Sequence, residues 1–338
     1  MHIRIEIPDD SLADALRASV GNTLGRVGNL AVQIGLAQGS LQPQMHRPAI
    51  VLFAGDHGAI AAGASARPQK ITWQSVERVV AGRAPINLAC RQMALGLSVV
   101  DAGVSHDFGT RAGLVDAKIE HGTANFGLEP AMWRSQLERA LERGRALAHE
   151  YAALGCSAIG FGSIGVGARA SAALLTHCLT DLPLNALSSP EDAADAVLTR
   201  RRALLDRALA RAGRPTDAFE ALREFGGFEI AMMSGAMLGA AERRLLVVVD
   251  GFVASSALLA ARGIAPEVVA YANLADRSPE SGHEHQAAAL GLEPLLDLGL
   301  AGGDGVAAAL AMPLLRTAAA CPGVAAGLAP AGRDSQSP

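Results

Sequence analysis

Aromatic residues are scarce in this chain: two Trp, two Tyr and eight Phe make up 4% of 338 residues. A nucleic-acid surface needs stacking aromatics and a basic excess, and a formal net charge of −4 argues against both. The four cysteines (Cys90, Cys156, Cys178, Cys321) lack the paired spacing of a disulfide framework, so a reduced, cytoplasmic protein is expected. No long apolar run is present either. The most apolar window, residues 245–261, is interrupted by Asp250 and is short for a bilayer span. MHIRIEIPDD has no basic stretch leading into an apolar one, which predicts no signal peptide. What remains is a 50% hydrophobic chain long enough to bury a large core as one α/β domain or two.

The organising stretch is residues 225–261, which predict helix, polar turn, buried strand and helix. In the first helix Gly235 and Gly239 fall four apart, clearing one stripe for the close approach of another backbone. Residues 245–249 form a continuous aliphatic run, ending in three β-branched valines, suited to a strand covered on both faces. Asp250 follows, where a strand gives way to a helix. It is either at a ligand edge or a helix N-cap.

The same strand-then-acid pattern recurs. Residues 48–54 run into Gly55-Asp56-His57-Gly58, and 97–100 run into Asp101-Ala102-Gly103. A strand at 156–161 feeds a glycine-dense turn (Gly162, Gly165, Gly167) able to offer N–H groups to a phosphate. A fifth strand is expected at 268–271. Helices are expected within 10–42, broken by Gly21, Gly25 and Gly28, and at 72–82, from Pro85, at 131–154, 168–178, 198–212 and 306–320; residues 105–130 look irregular. Arg200, Arg201, Arg202 and Arg207 either meet an anion or form a solvated face. His283 and His285, near Glu280 and Glu284, lack helical ligand spacing and a nearby cysteine, so no metal site is expected. Alternating strands and helices predict a mainly parallel, doubly wound, Rossmann-like sheet.

Nine stretches, in this order and with this content, resemble one family. The first five are FAGDHG (53–58), PQKITWQ (68–74), GRAPINLACR (82–91), VVDAGV (99–104) and GTANF (122–126). GGFEIAMMSGAMLGAA (226–241), VVVDGF (247–252), RSPESGH (277–283) and LGLEPLLDLGL (290–300) complete the set. The family is nicotinate-nucleotide:dimethylbenzimidazole phosphoribosyltransferase, and the resemblance covers about residues 50–316. It implies a homodimer, with the helix at 228–241 near its centre, and transfer of phosphoribose from nicotinate mononucleotide to a benzimidazole nitrogen. It implies neither metal nor redox cofactor, while the charge, aromatic content and apolar runs above argue against nucleic-acid and membrane partners. The implied organisation is a helical part (1–45) packing with C-terminal helices, an α/β domain (46–300), a C-terminal part with the catalytic loop (301–328) and a disordered tail (329–338).

By resemblance the general base is a carboxylate in a Gly-Glu-Gly motif, which here is Gly303-Asp304-Gly305. Asp304 is one methylene shorter, about 1.5 Å. The implied base-binding residues are Arg67, Gln69, Trp73, Gln74, Ser163 and Ile164. The implied nucleotide-binding residues are Asp56, Asp101, Gly165, Gly167, Arg169, Arg201, Asp250, Ser278, Glu280, Gly303 and Gly305. Departures cluster. Ser163 stands for a glutamate, Ala168-Arg169-Ala170 for Asn-Thr-Thr, SSPED (188–192) for a glycine-rich phosphate loop, Arg201 for a lysine, Asp276 for a histidine and Arg67 for a tyrosine. Two readings follow: an active transferase of this type, including one with a changed base or donor, or a homologue that has lost turnover and binds ligand or a partner.

Overall fold

The computed structural model describes residues 3–21, 23–187 and 195–327. Six strands form one parallel sheet in the order β3–β2–β1–β4–β5–β6. They are β1 (Ala49–Gly55), β2 (Gly96–Gly103), β3 (Leu114–Asp116), β4 (Ala158–Ile164), β5 (Leu246–Val249) and β6 (Ala272–Leu274). Every residue of β1 and β5 is buried, as continuous apolar runs demand when helices cover both faces. Strand order reverses between β1 and β4, so the crevice for a ligand opens at their carboxyl ends.

The helices are α1 (Ala13–Val20), α2 (Gly25–Gln38), α3 (Ile71–Val80), α4 (Pro85–Gln92), α5 (Arg134–Ala153) and α6 (Ala168–Leu179). They continue as α7 (Asp195–Ala212), α8 (Ala218–Phe225), α9 (Phe228–Glu242), α10 (Gly251–Ile264), α11 (His283–Leu290) and α12 (Val306–Gly327). α12 packs on α2, α1 and α4, bringing both ends of the chain together.

α9 is buried from Phe228 to Ala241, and its glycine stripe receives α5. A Cβ on Gly235 would lie 2.0 Å from the Leu141 carbonyl oxygen, and one on Gly144 would lie 1.8 Å from that of Met232. Backbone meets backbone on both sides, so neither glycine tolerates a side chain. The apolar surface expected to seek a partner at a dimer's centre is therefore already covered within one chain.

Other expectations are corrected in detail. Gly28 lies inside α2 rather than breaking it. Residues 266–271 form a 3₁₀ turn opened by Pro266, and the strand is the next three residues. The irregular stretch 105–130 contains β3. SSPED (188–192) and the tail 329–338 lie outside the described residues.

Candidate active site

The loop carrying Asp304 sits against the carboxyl ends of β4 and β5. The Ser163 N–H donates to the Gly303 carbonyl at 2.9 Å. A Cβ on Gly162 would come within 2.6 Å of the Gly305 nitrogen, and one on Gly251 within 2.7 Å of Gly303 Cα. Gly251 has φ +79°, so the absence of a side chain serves both conformation and approach. Asp276 fixes the segment that enters the loop, accepting N–H groups from Leu298 at 2.7 Å and Leu300 at 3.0 Å. Asp304 itself is half-buried, and among the described residues no donor holds its carboxylate.

Asp250 occupies the N-cap position of α10, yet its side chain makes no cap bond there. Its Oδ2 instead accepts the Ala307 N–H, in the first turn of α12, at 3.0 Å. Burial, followed by the Asp304 charge, pushes the Asp250 carboxyl up to about 7. As a buried cap at the foot of the Asp304 loop, its carboxylate is turned towards protein.

A charged cluster lies beside this loop. The Arg169 guanidinium donates to Glu280 at 2.9 Å and to the Ala301 carbonyl at 3.2 Å, joining α6 to the loop's start. Arg201 is the buried member of the arginine run, whereas Arg200, Arg202 and Arg207 are exposed. Burial, then the Arg169 charge, lowers Arg201 to about 10, against the pull of Glu280. The Ser278 hydroxyl accepts the Glu280 N–H at 3.2 Å, and His283 Nδ1 accepts the Ser278 N–H at 3.3 Å. His283 is therefore neutral, and burial lowers it to about 4.

The glycine-rich turn bridges the two halves of the sheet. The Val166 N–H donates to Thr72 Oγ1 of α3 at 3.0 Å, and Gly167 at φ +94° starts α6. A Cβ on Gly165 would lie 2.7 Å from the Gly55 carbonyl, so the turn lies directly on the end of β1. Ile164, the last residue of β4, is buried.

Asp56 and Asp101 lie at the same edge, but their carboxylates close loops. Asp101 accepts N–H groups of Gly103 and Val104 at 3.1 and 2.8 Å and pairs with Lys118 at 3.0 Å. Asp56 accepts the Ser105 N–H at 2.9 Å. Gln69 Nε2 donates to Ser105 Oγ at 3.1 Å. Trp73 stacks on His106 with ring centroids 4.8 Å apart, and His106 meets Phe108 edge-on. Gln74 and Arg67 are exposed. Sequence reasoning missed His106, Lys118 and the loop-fixing role of Asp276.

It also missed a buried Ser171–His57–Glu229 line. His57 Nε2 lies 2.8 Å from Glu229 Oε1, and Nδ1 lies 3.1 Å from Ser171 Oγ. All three residues are fully buried, so no substrate reaches this hydroxyl despite its resemblance to a nucleophile triad. Burial is the strongest influence on His57 and lowers it, but the Glu229 charge, its hydrogen bond and the Asp56 charge together hold the imidazole above its ordinary value.

A parallel sheet with its ligand crevice at the reversal of strand order, glycine loops there and a half-exposed carboxylate between β4 and β5 define an α/β protein with a small-molecule ligand edge. A family model described as "Phosphoribosyltransferase" matches residues 12–332. A protein of Aromatoleum aromaticum named nicotinate-nucleotide–dimethylbenzimidazole phosphoribosyltransferase is 51% identical, over 94% of this chain and 95% of its own. A Dechloromonas aromatica protein of the same name is 49% identical, over 94% of each chain. The crystal structure of the Thermus thermophilus enzyme of that name superposes with TM-score 0.88 at 36% identity, covering 93% of this chain and 96% of its own. The chain belongs to the nicotinate-nucleotide–dimethylbenzimidazole phosphoribosyltransferase family and is an enzyme.

Proposed function

We propose that this chain transfers phosphoribose from nicotinate mononucleotide to a ring nitrogen of 5,6-dimethylbenzimidazole or a related azole, making the α-riboside phosphate of the cobalamin lower ligand. The azole nitrogen attacks C1′ with inversion, and nicotinate leaves with the electrons of the broken C–N bond. Asp304 accepts the proton from the azole's other nitrogen. The observation that carries this reading is the Gly303-Asp304-Gly305 loop held against β4 and β5, with a half-exposed carboxylate at the ligand edge. A base must come within hydrogen-bond reach of the proton it takes, and a fixed backbone with a short side chain meets that demand.

Trp73, Gln69, Gln74, Arg67, Ser163 and Ile164 bind the base in this reading, with Trp73 and His106 forming an aromatic wall. Arg169, Arg201, Ser278 and Glu280, with the backbone of Gly165 and Gly167, form the nucleotide side. Asp56 and Asp101 act there by shaping loops. The enzyme works as a cytoplasmic homodimer on these two small molecules. Its α/β domain (46–300) is served by a helical part drawn from residues 1–45 and 301–328, in keeping with the packing of α12 on α1 and α2. Among the described residues no helix is long and apolar enough to cross a membrane.

Turnover with a panel of azoles, scored by nicotinate release and by the riboside phosphate formed, tests the assignment. One nicotinate per product is expected. Binding of the azole with no nicotinate released would instead favour a ligand-binding homologue.

A further inference from the structure

We infer that Asp250 is a positioning residue for Asp304: reaching from the end of β5, its carboxylate caps the amino end of α12 and fixes the loop that carries the base. The inference rests on the role proposed for Asp304.

A helix begins with N–H groups that have no partner within it, and an N-cap side chain normally comes from the residue just before the first turn. That residue here is Gly305, which has no side chain. The acceptor arrives from 57 residues away, with Asp250 Oδ2 at 3.0 Å from the Ala307 nitrogen. The backbone of Gly305 and Ala308 adds to the stabilisation of the Asp250 charge. Asp250 is 3% exposed, so the bond is shielded from water, and α10, which it precedes, receives no bond from it.

The cap holds one end of the loop, and the Ser163 N–H on the Gly303 carbonyl holds the other. Asp304 lies between these two points. Its carboxylate has no hydrogen bond to the described residues to aim it, so backbone placement must do so. The raised Asp250 pKa, to which the Asp304 charge contributes, places the two carboxyl groups within each other's field. Misplacing a catalytic group by about 1 Å lowers rate by about 10²-fold.

The test compares Asp250→Ala with Asp250→Asn, whose amide oxygen can still accept the Ala307 N–H. Asp250→Ala is expected to lower kcat by about 10²-fold. KM for nicotinate mononucleotide and for dimethylbenzimidazole should stay within about threefold, because only a transition-state interaction is lost. Asp250→Asn should recover at least about tenfold of that loss, since it keeps the cap and gives up only the charge. Amide exchange across residues 301–309 should quicken in the Ala variant and not in the Asn variant. In an Asp304→Asn background, adding Asp250→Ala should change kcat by less than about threefold, because a group that acts through another has nothing left to position.

A wild-type kcat in Asp250→Ala would overturn the inference. So would a raised KM at unchanged kcat, which would make Asp250 a ligand contact, or a full Asp250→Ala effect in the Asp304→Asn background. If Asp250→Ala does not fold, Asp250→Ser, with a shorter capping oxygen, takes its place under the same criteria. An Asp304→Asn variant as active as wild type would remove the base assignment and this inference with it. Failure of the Asp250 variants alone leaves the base assignment standing.

Discussion

The two halves of the sheet carry the same residue type at the same edge and use it differently. On the β1–β2 side, Asp101 is bound by two N–H groups and Lys118, and His57 is paired with Glu229 in full burial. Neither the Asp101 carboxylate nor the His57 imidazole meets solvent freely. On the β4–β5 side, Asp250 and Asp276 also serve the backbone, but what they hold is a loop whose own carboxylate stays half-exposed. An acid at a strand end is therefore weak evidence for a site. What distinguishes Asp304 is that its neighbours' hydrogen bonds fix its backbone and leave its side chain available.

If the first half is scaffold, breaking it should damage stability far more than chemistry. The largest effect is expected for Glu229→Gln, which leaves the buried His57 without its counter-charge. Losing one partner of a buried pair costs about 3–5 kcal/mol. Denaturant unfolding should show that loss, while kcat per folded enzyme stays within several-fold of wild type.

His283 offers a contrast on the second half, because it is buried neutral. Its folded pKa of about 4 lies below the ordinary 6.5, so the unfolded chain binds more protons between those values. The stability associated with neutral His283 is thus present above pH 6.5 and is lost as pH falls towards 4. Relative to His283→Gln, the wild type should lose on the order of 3 kcal/mol across that window, read from urea midpoints at each pH. A constant difference between the two proteins would contradict the buried neutral state.

Arg169→Glu sharpens the comparison at the ligand. Charge-assisted hydrogen bonds are worth about 1.5–3 kcal/mol, so nicotinate mononucleotide should bind about 10- to 150-fold more weakly. Dimethylbenzimidazole affinity should hardly change. Equal losses for both ligands would mean that Arg169 acts only through its bonds to Glu280 and Ala301.

The smallest effect is expected at the aromatic wall. His106→Ala removes one stacked ring from Trp73, and such pairs contribute about 0.5–1.5 kcal/mol. KM for the azole should rise by about 2- to 10-fold, with the nucleotide KM unchanged.

Legibility in the sequence follows the range of the interactions. The long strands and most helices were visible because continuous apolar runs and 3.6-residue patterns are local. β3 and β6 were not, since three residues carry no period, and residues 266–271 spell an apolar run that Pro266 turns into 3₁₀. Gly235 and Gly239 correctly announced a close backbone, but only the fold shows that α5 supplies it. Asp304 was singled out only by resemblance, as the carboxylate of the family's Gly-Glu-Gly motif nine residues before Pro313. Its supports could not be found in that way: Asp250 to Ala307 spans 57 residues and Arg169 to Ala301 spans 132, as the scaffold pair His57 and Glu229 spans 172. Pairings at such distances leave no local pattern to read.

The direct test of the central claim is the turnover of Asp304→Asn beside wild type, with melting temperature and the affinities of both ligands measured on the same preparations. Asparagine keeps the shape and loses the proton acceptor. A general base contributes about 10²–10⁴-fold, so nicotinate release should fall by that factor while stability and both affinities hold. An Asn variant that releases nicotinate as fast as wild type would contradict the assignment of Asp304 as the base.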